Sequence, residues 1–147
     1  MMRALRQRAD RRQLLTAEPY VLAELQRLRA RVPRLTGVLA TVADGLVLAR
    51  DAPGVEPEAV AILTAAAVGT ARRLTAASAL GDFQELLVRG EHGYVAAYAA
   101  GGSAVLTLLA EPQVNVGRLH LEGRRSGALI GELVDGALAR PEPQTDN

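Results

Sequence analysis

The 147-residue chain has no cysteine, no lysine and no tryptophan, and only three tyrosines and one phenylalanine supply aromatic rings. Without cysteine there can be no disulfide and no thiolate site, although that leaves the compartment open. Without lysine there is no Gly-rich phosphate loop of the kind that needs one. The two histidines, His92 and His120, have no carboxylates around them at a spacing that suggests a metal site. Ser78, Ser103 and Ser126 lie in no nucleophile elbow. No set of residues assembles a nucleophile, a base and an orienting group. The chain therefore reads as a binding or regulatory module and not as an enzyme, with no catalytic residue, cofactor or metal assigned.

The charge that is present is unevenly placed. All seventeen basic residues are arginine. Residues 1–13 hold five of them against Asp10, a net of +4, so a whole-chain charge of +1 leaves −3 for the rest. A mildly acidic body argues against a nucleic-acid-binding core. Residues 1–18 read as a flexible basic arm, able to touch anionic lipid, nucleic acid or an acidic partner. Arg11-Arg12-Gln13-Leu14-Leu15 faintly resembles a twin-arginine export signal. The apolar core such a signal needs does not follow in Thr16-Ala17-Glu18-Pro19-Tyr20, so a cytoplasmic location is expected. Tyr94 to Ala110 is uncharged, but as a helix it would span only about 25 Å against a hydrocarbon core of ~30 Å. Gly101-Gly102-Ser103 interrupts it, and no transmembrane segment is assigned.

That stretch belongs to the centre of the chain. Phe83 to Ala110 reads as three strands, Gln84 to Glu91, Tyr94 to Ala100 and Ser103 to Ala110, turning at His92-Gly93 and Gly101-Gly102. Leu86 and Val88 alternate with Glu85, Leu87 and Arg89 on opposite faces. The third strand is apolar on both faces, which predicts an antiparallel sheet covered by helices on both sides. Upstream, a first helix is expected to start near Pro19, with Val21, Leu25, Leu28 and Val32 as its stripe and Pro33 as its end. A hairpin over Thr36 to Arg50 turns at Asp44-Gly45, the pair favoured in type I′ turns. A second, Ala-rich helix spans about Pro57 to Leu80 and stops at Gly81-Asp82. It carries two apolar stripes, Val60/Leu63/Ala67/Leu74 and the small-residue stripe Ala59/Ile62/Ala66/Gly69/Ala76, which predicts burial on more than one face. Asn115 caps a last helix to about Arg140, with Val116, Leu119, Ile130 and Val134 as its apolar positions. In it Gly123, Gly127 and Gly131 make a close-packing stripe on a soft helix, since each interior glycine costs ~1 kcal/mol of propensity. Residues 19–140 form a single domain, and 141–147 a polar, disordered tail. Tyr94 and Tyr98 share a strand face and are expected to pack under a helix.

The order helix, two strands, helix, three strands, helix resembles the roadblock / dynein light-chain family, in particular its bacterial and actinobacterial branch. The resemblance rests on Val32-Pro33-Arg34-Leu35-Thr36-Gly37-Val38, the Asp44-Gly45-Leu46 turn, the Ala-rich helix ending at Gly81-Asp82-Phe83, Leu86-Leu87-Val88-Arg89-Gly90, and Asn115-Val116-Gly117. It covers Tyr20 to Leu138; the Arg-rich arm and the glycines of the last helix depart from the pattern. It implies a three-layer α/β/α fold, with a five-stranded antiparallel sheet, the Ala-rich helix on one face and the first and last helices on the other. It implies a homodimer with a sheet continuous across the subunits, a Ras-like small GTPase as partner with GTPase-activating-protein-like action, and a sensor-kinase-like protein encoded alongside. The dimer interface is placed at Ala59, Ile62, Ala66, Gly69, Arg73, Leu87 and Arg89, and the GTPase-facing candidates are Arg72, Arg73 and Arg89. Membrane association would then come through partners. A small-molecule sensor built on a similar helix-flanked sheet is the alternative, and a weak enzyme the third reading.

Overall fold

The structure, a computed structural model, describes residues 2–42 and 44–140, with side chains from Arg8 onward. The chain runs α1 (Met2–Arg31), β1 (Leu35–Val42), β2 (Val47–Asp51), α2 (Pro57–Ala77), β3 (Glu85–Gly90), β4 (Gly93–Ala100), β5 (Ala104–Ala110) and α3 (Val116–Ala139). The strands form one antiparallel sheet in the order β2-β1-β5-β4-β3. Helices α1 and α3 lie together on one face and α2 lies on the other, the arrangement the resemblance implies.

Each layer follows from the pattern of the strand that it covers. Val38 and Ala40 of β1, Ala96, Tyr98 and Ala100 of β4, and Leu106 and Leu108 of β5 face α1 and α3 in one large core. Val105 and Ala97 face the other way and join Val68 of α2 and Phe83 in a smaller one. With helices on both sides, β1 and β5 have almost no wet position, which is why both are apolar nearly throughout. The last helix starts where expected: Asn115 Oδ1 accepts from the Arg118 backbone N–H at 3.0 Å. Leu119, Ile130 and Val134 are fully buried beneath it.

The glycine stripe of α3 sits on β4. A Cβ at Gly123 would lie 2.5 Å from the Tyr98 ring, and one at Gly131 would lie 2.3 Å from the Gly101 backbone nitrogen. At Gly131 the helix thus meets backbone directly, and at Gly123 it meets the Tyr98 ring. A polar bridge ties α3 to α1 further along. Arg31 donates to Glu24 and to Glu122 at 3.1 Å each, and Ser126 Oγ donates to Glu24 at 2.9 Å.

Several boundaries differ from those expected. The β3–β4 hairpin pairs Gly90 with Gly93, so its turn residues are Glu91-His92 and not His92-Gly93. The β4–β5 turn holds three residues, because Ala100 pairs with Ala104. At the first hairpin the Gly45 N–H bonds the Val42 carbonyl at 2.9 Å with Gly45 at φ +92°. That is a three-residue loop ending on a left-handed residue instead of a two-residue type I′ turn; Ala43 lies outside the described residues. Asp44 has the turn role anticipated for it, its carboxylate accepting from the Leu46 N–H at 3.2 Å. Helix α2 ends at Ala77, earlier than Gly81, because Ala79 already takes φ +55°.

The largest difference is at the start. Helix α1 begins at Met2, with Pro19 inside it. Leu14 and Ala17 are buried in the main core and carry the Val21-Leu25-Leu28-Val32 stripe backwards at helical spacing. Packing of these two side chains offsets much of the ~3 kcal/mol that an interior proline costs a helix. The packed domain therefore begins well before Pro19, while residues 141–147, read as a disordered tail, lie outside the described residues. A chain starting at Gln13 is expected to melt close to the full-length protein. One starting at Pro19 loses the burial of Leu14 and Ala17, about 2 kcal/mol or more, and its melting point should fall by several degrees. Equal melting points for the two truncations in a calorimetric scan would show that Leu14 and Ala17 contribute nothing.

Candidate functional site

Helix α2 meets the sheet along a third face, through Ala61, Thr64 and Val68. Neither apolar stripe read from the sequence faces the sheet. Within one chain α2 is therefore buried on one face only, a correction to the expected burial on more than one. The register places Leu39, Thr41, Ala97, Val105 and Thr107 together on that side of the sheet, and a narrow strip of small α2 residues meets it, with Val68 against Ala97 and Val105. The larger side chains are left outside, with Ile62 63% exposed, Leu63 70% and Leu74 65%. By length and composition α2 could cross a membrane, but here it lies along the sheet. Ala59, Ile62, Ala66, Gly69 and Arg73 recur at alternating spacings of three and four, the spacing found in coiled-coil seams. All five are exposed, and a Cβ on Gly69 would find nothing within 4 Å.

Beside this helix runs β3, which pairs only with β4 and forms one edge of the sheet. Leu87 and Val88 are exposed on it. An uncovered strand edge presents a row of backbone donors and acceptors to any second strand. Register places Leu86 and Val88 on the α2 side, with Ala97 and Val95. Glu85, Leu87 and Arg89 share the opposite side with Tyr98, Ala96 and Tyr94. Of the residues singled out in the sequence, the fold thus gathers Ala59, Ile62, Ala66, Gly69 and Arg73 into one stripe. Leu87 and Arg89 lie nearby but point to the other face of the sheet. Arg72 caps the small core with its guanidinium 5.4 Å from the Phe83 ring centre, a cation–π contact. Arg73 is exposed. Arg72 and Arg73 therefore do not converge with Arg89 within one chain.

On the α3 side the strand carries a charged cluster that sequence reasoning missed. Glu85 accepts from Arg124 at 2.7 and 3.2 Å. It also lies 3.0 Å from His120 Nδ1, which is 2.8 Å from the Tyr98 hydroxyl. Burial pushes the Tyr98 hydroxyl up, the Glu85 carboxylate adds to this, and Arg124 opposes it. The four side chains come from β3, β4 and α3, and no spacing in the chain announces them. His92 is exposed at its hairpin, as expected of a turn residue. The cluster borders a groove of about 920 Å³ that Arg72, Asp82, Glu132 and Asp135 also line. Among the described residues no group of three or more His, Asp or Glu stands where it could hold a metal ion.

The sheet order, the helix distribution and the bare α2–β3 surface can be set beside known proteins. The family profile described as Roadblock/LC7 domain matches residues 21–110. The chain belongs to the Roadblock/LC7 family. Two uncharacterized proteins of Methanocaldococcus jannaschii are each 32% identical to this roadblock protein over 111 residues, covering 75% of it and 93% of themselves. Among solved structures, an MglB with a tetrameric arrangement superposes with a TM-score of 0.76 at 21% identity, covering 82% of this chain and 92% of that one. A Roadblock/LC7 domain from Streptomyces avermitilis gives 0.69 at 21% identity, with 81% and 98% covered. The gliding protein MglB of Thermus thermophilus gives 0.68 at 22% identity, with 84% and 92% covered. At these identities the solved structures speak for the fold. The family match stops short of α3 and leaves out the first 20 residues of the roadblock chain.

Proposed function

We propose that this roadblock protein is a non-enzymatic homodimer that binds a Ras-like small GTPase and adjusts its nucleotide cycle or its location. One observation carries the reading: a stripe of exposed apolar and small side chains on α2 lies beside an unpaired edge strand. A second copy satisfies both at once. Its α2 packs along Ala59, Ile62, Ala66, Gly69 and Arg73, and its β3 pairs with Glu85–Gly90, joining two sheets into one. Exposed apolar surface of this extent on a soluble domain marks a contact site. Family membership supports the GTPase as partner. Such a partner brings its own Mg²⁺ and phosphate cradle, so a regulator need only position groups or hold a switch segment ordered. Arg72, Arg73 and Arg89 are the side chains through which a direct contribution would come. In a dimer the two copies of each stand on either side of the joint, which is where arginines separated within one chain can meet. A cytoplasmic location, with a sensor-kinase-like protein as a further partner, completes the proposal.

Two substitutions test the dimer. Ala66→Glu places a charge in the helix seam, where an unpaired buried charge costs several kcal/mol, and light scattering should report monomer. Gly69→Ala should raise the helix propensity of an isolated chain by up to ~1 kcal/mol, yet weaken the dimer by holding the helices apart. A fully dimeric Ala66→Glu protein would place the interface elsewhere. For the partner, the test is capture of a Ras-like small GTPase from the source organism, followed by single-turnover GTP hydrolysis with wild type and each Arg→Ala variant. Binding with a hydrolysis rate that no single arginine controls is expected. Loss of a large acceleration in one Arg→Ala variant that still binds would show that the domain lends a catalytic group. No binding in either nucleotide state would overturn the function and leave the fold.

A further inference from the structure

We propose that the N-terminal half of α1 is a docking surface for an anionic membrane, so that the protein meets the bilayer directly as well as through partners. Arg8, Arg11, Arg12 and Leu15 fall at positions i, i+3, i+4 and i+7 of the helix, and all four are exposed. They occupy the side of α1 turned away from Leu14 and Ala17, which are packed in the core. Leu15 is 60% exposed, one helical turn beyond Arg11 and Arg12. A face that mixes arginine with a bare leucine suits the boundary between headgroups and acyl chains. The guanidinium groups meet phosphates there and the aliphatic side chain enters the apolar layer.

Charge complementarity supports the choice of partner. Residues 1–13 carry +4 and the remainder of the chain −3, so an anionic surface attracts this end of the molecule and repels the other. The first turn of α1 contains no acidic residue, so an external negative surface suits the positive end of the helix dipole. Nucleic acid is a poorer fit, because the arginine face bears an apolar side chain and no aromatic residue occurs before Tyr20 to stack on a base. The fold also leaves room for the other interaction. Helix α1 and helix α2 lie on opposite faces of the sheet, so a membrane under α1 leaves the α2 face open to solution.

The experiment is co-sedimentation of the full chain with vesicles of pure phosphatidylcholine and of equimolar phosphatidylcholine and phosphatidylglycerol. Wild type, Leu15→Gln and the triple variant Arg8→Gln/Arg11→Gln/Arg12→Gln are compared, with circular dichroism melts to confirm folding. Wild type should bind the mixed vesicles and not the neutral ones, and high salt should release it. The triple variant should lose on the order of 100-fold in apparent affinity, and Leu15→Gln should lose less while remaining salt-sensitive. Equal binding to both vesicles, no binding to either, or wild-type binding by a folded triple variant would overturn the proposal. So would capture by double-stranded DNA or polyglutamate in the absence of vesicle binding. None of these readings depends on a GTPase, so failure here leaves the proposed function untouched, and the reverse also holds.

Discussion

Gly131→Ala is expected to destabilise the protein by about 3 kcal/mol, at the upper end of what overpacking costs, although alanine is the better helix former. The new Cβ would lie 2.3 Å from the Gly101 nitrogen and 2.7 Å from the Ala100 carbonyl carbon. Both are backbone atoms where β4 passes into its turn and cannot rotate aside, so helix and strand would have to separate. The gain in propensity, ~1 kcal/mol, is smaller than the packing lost along the whole contact. Gly123→Ala should act in the same direction, since its Cβ would enter the ring of Tyr98, which is fully buried and bonded through its hydroxyl to His120. Gly136 provides the internal control. A Cβ there meets nothing within 4 Å, so Gly136→Ala should stabilise by up to ~1 kcal/mol. Urea unfolding of the three variants distinguishes a glycine that carries a contact from one that merely weakens the helix. If all three variants gained stability alike, α3 would not be seated on β4 at backbone distance.

That stripe shows what kind of information the sequence makes legible. Gly123, Gly127 and Gly131 recur at one helical spacing, and such regularity in a costly residue has few causes besides close approach. The five strands and their covered faces are legible for the same reason, because alternation and its absence report burial directly. Pro19 misled because proline is a local signal and its usual place is a first turn. The stripe through Leu14 and Ala17 continues past it, and tertiary burial of those two side chains decides where the helix starts. The α2 stripes misled differently. Periodicity identifies apolar faces but not what covers them, and the face that meets the sheet is the less hydrophobic one, with Thr64 at its centre. The largest side chains of α2 are left outside, and these are the side chains that the proposed dimer would cover. The Glu85–His120–Tyr98–Arg124 cluster left no trace at all, since its members are joined only by the sheet register and by the rotation of α3.

Glu24→Gln is expected to cost about 2–3 kcal/mol at neutral pH, at or below the low end of the ~3–5 kcal/mol for removing one partner of a buried ion pair, because the amide keeps one acceptor. Glu24 is almost fully buried between α1 and α3. Its carboxylate accepts from Arg31 and Arg27 at 3.1 Å each and from Ser126 at 2.9 Å. Glutamine keeps the shape and one acceptor but leaves the half-buried Arg31 guanidinium with only Glu122 as an ionic partner. Burial by itself pushes the Glu24 carboxyl up; the hydrogen bonds from Ser126, Arg31 and Arg27 outweigh it, and the net displacement is below the ordinary value of 4.5. A depressed carboxyl binds its proton less readily in the folded chain than in the unfolded one. Its contribution to stability is therefore complete above that ordinary value and is lost as pH falls through the folded-state pKa. The difference in unfolding free energy between wild type and Glu24→Gln should accordingly stay constant from neutrality down to about pH 5 and narrow below it. Every other carboxylate titrates in both proteins, so the subtraction isolates this one. A difference that held constant into the acid range would mean that the Glu24 carboxylate is not what holds Arg31 and Ser126 between the two helices.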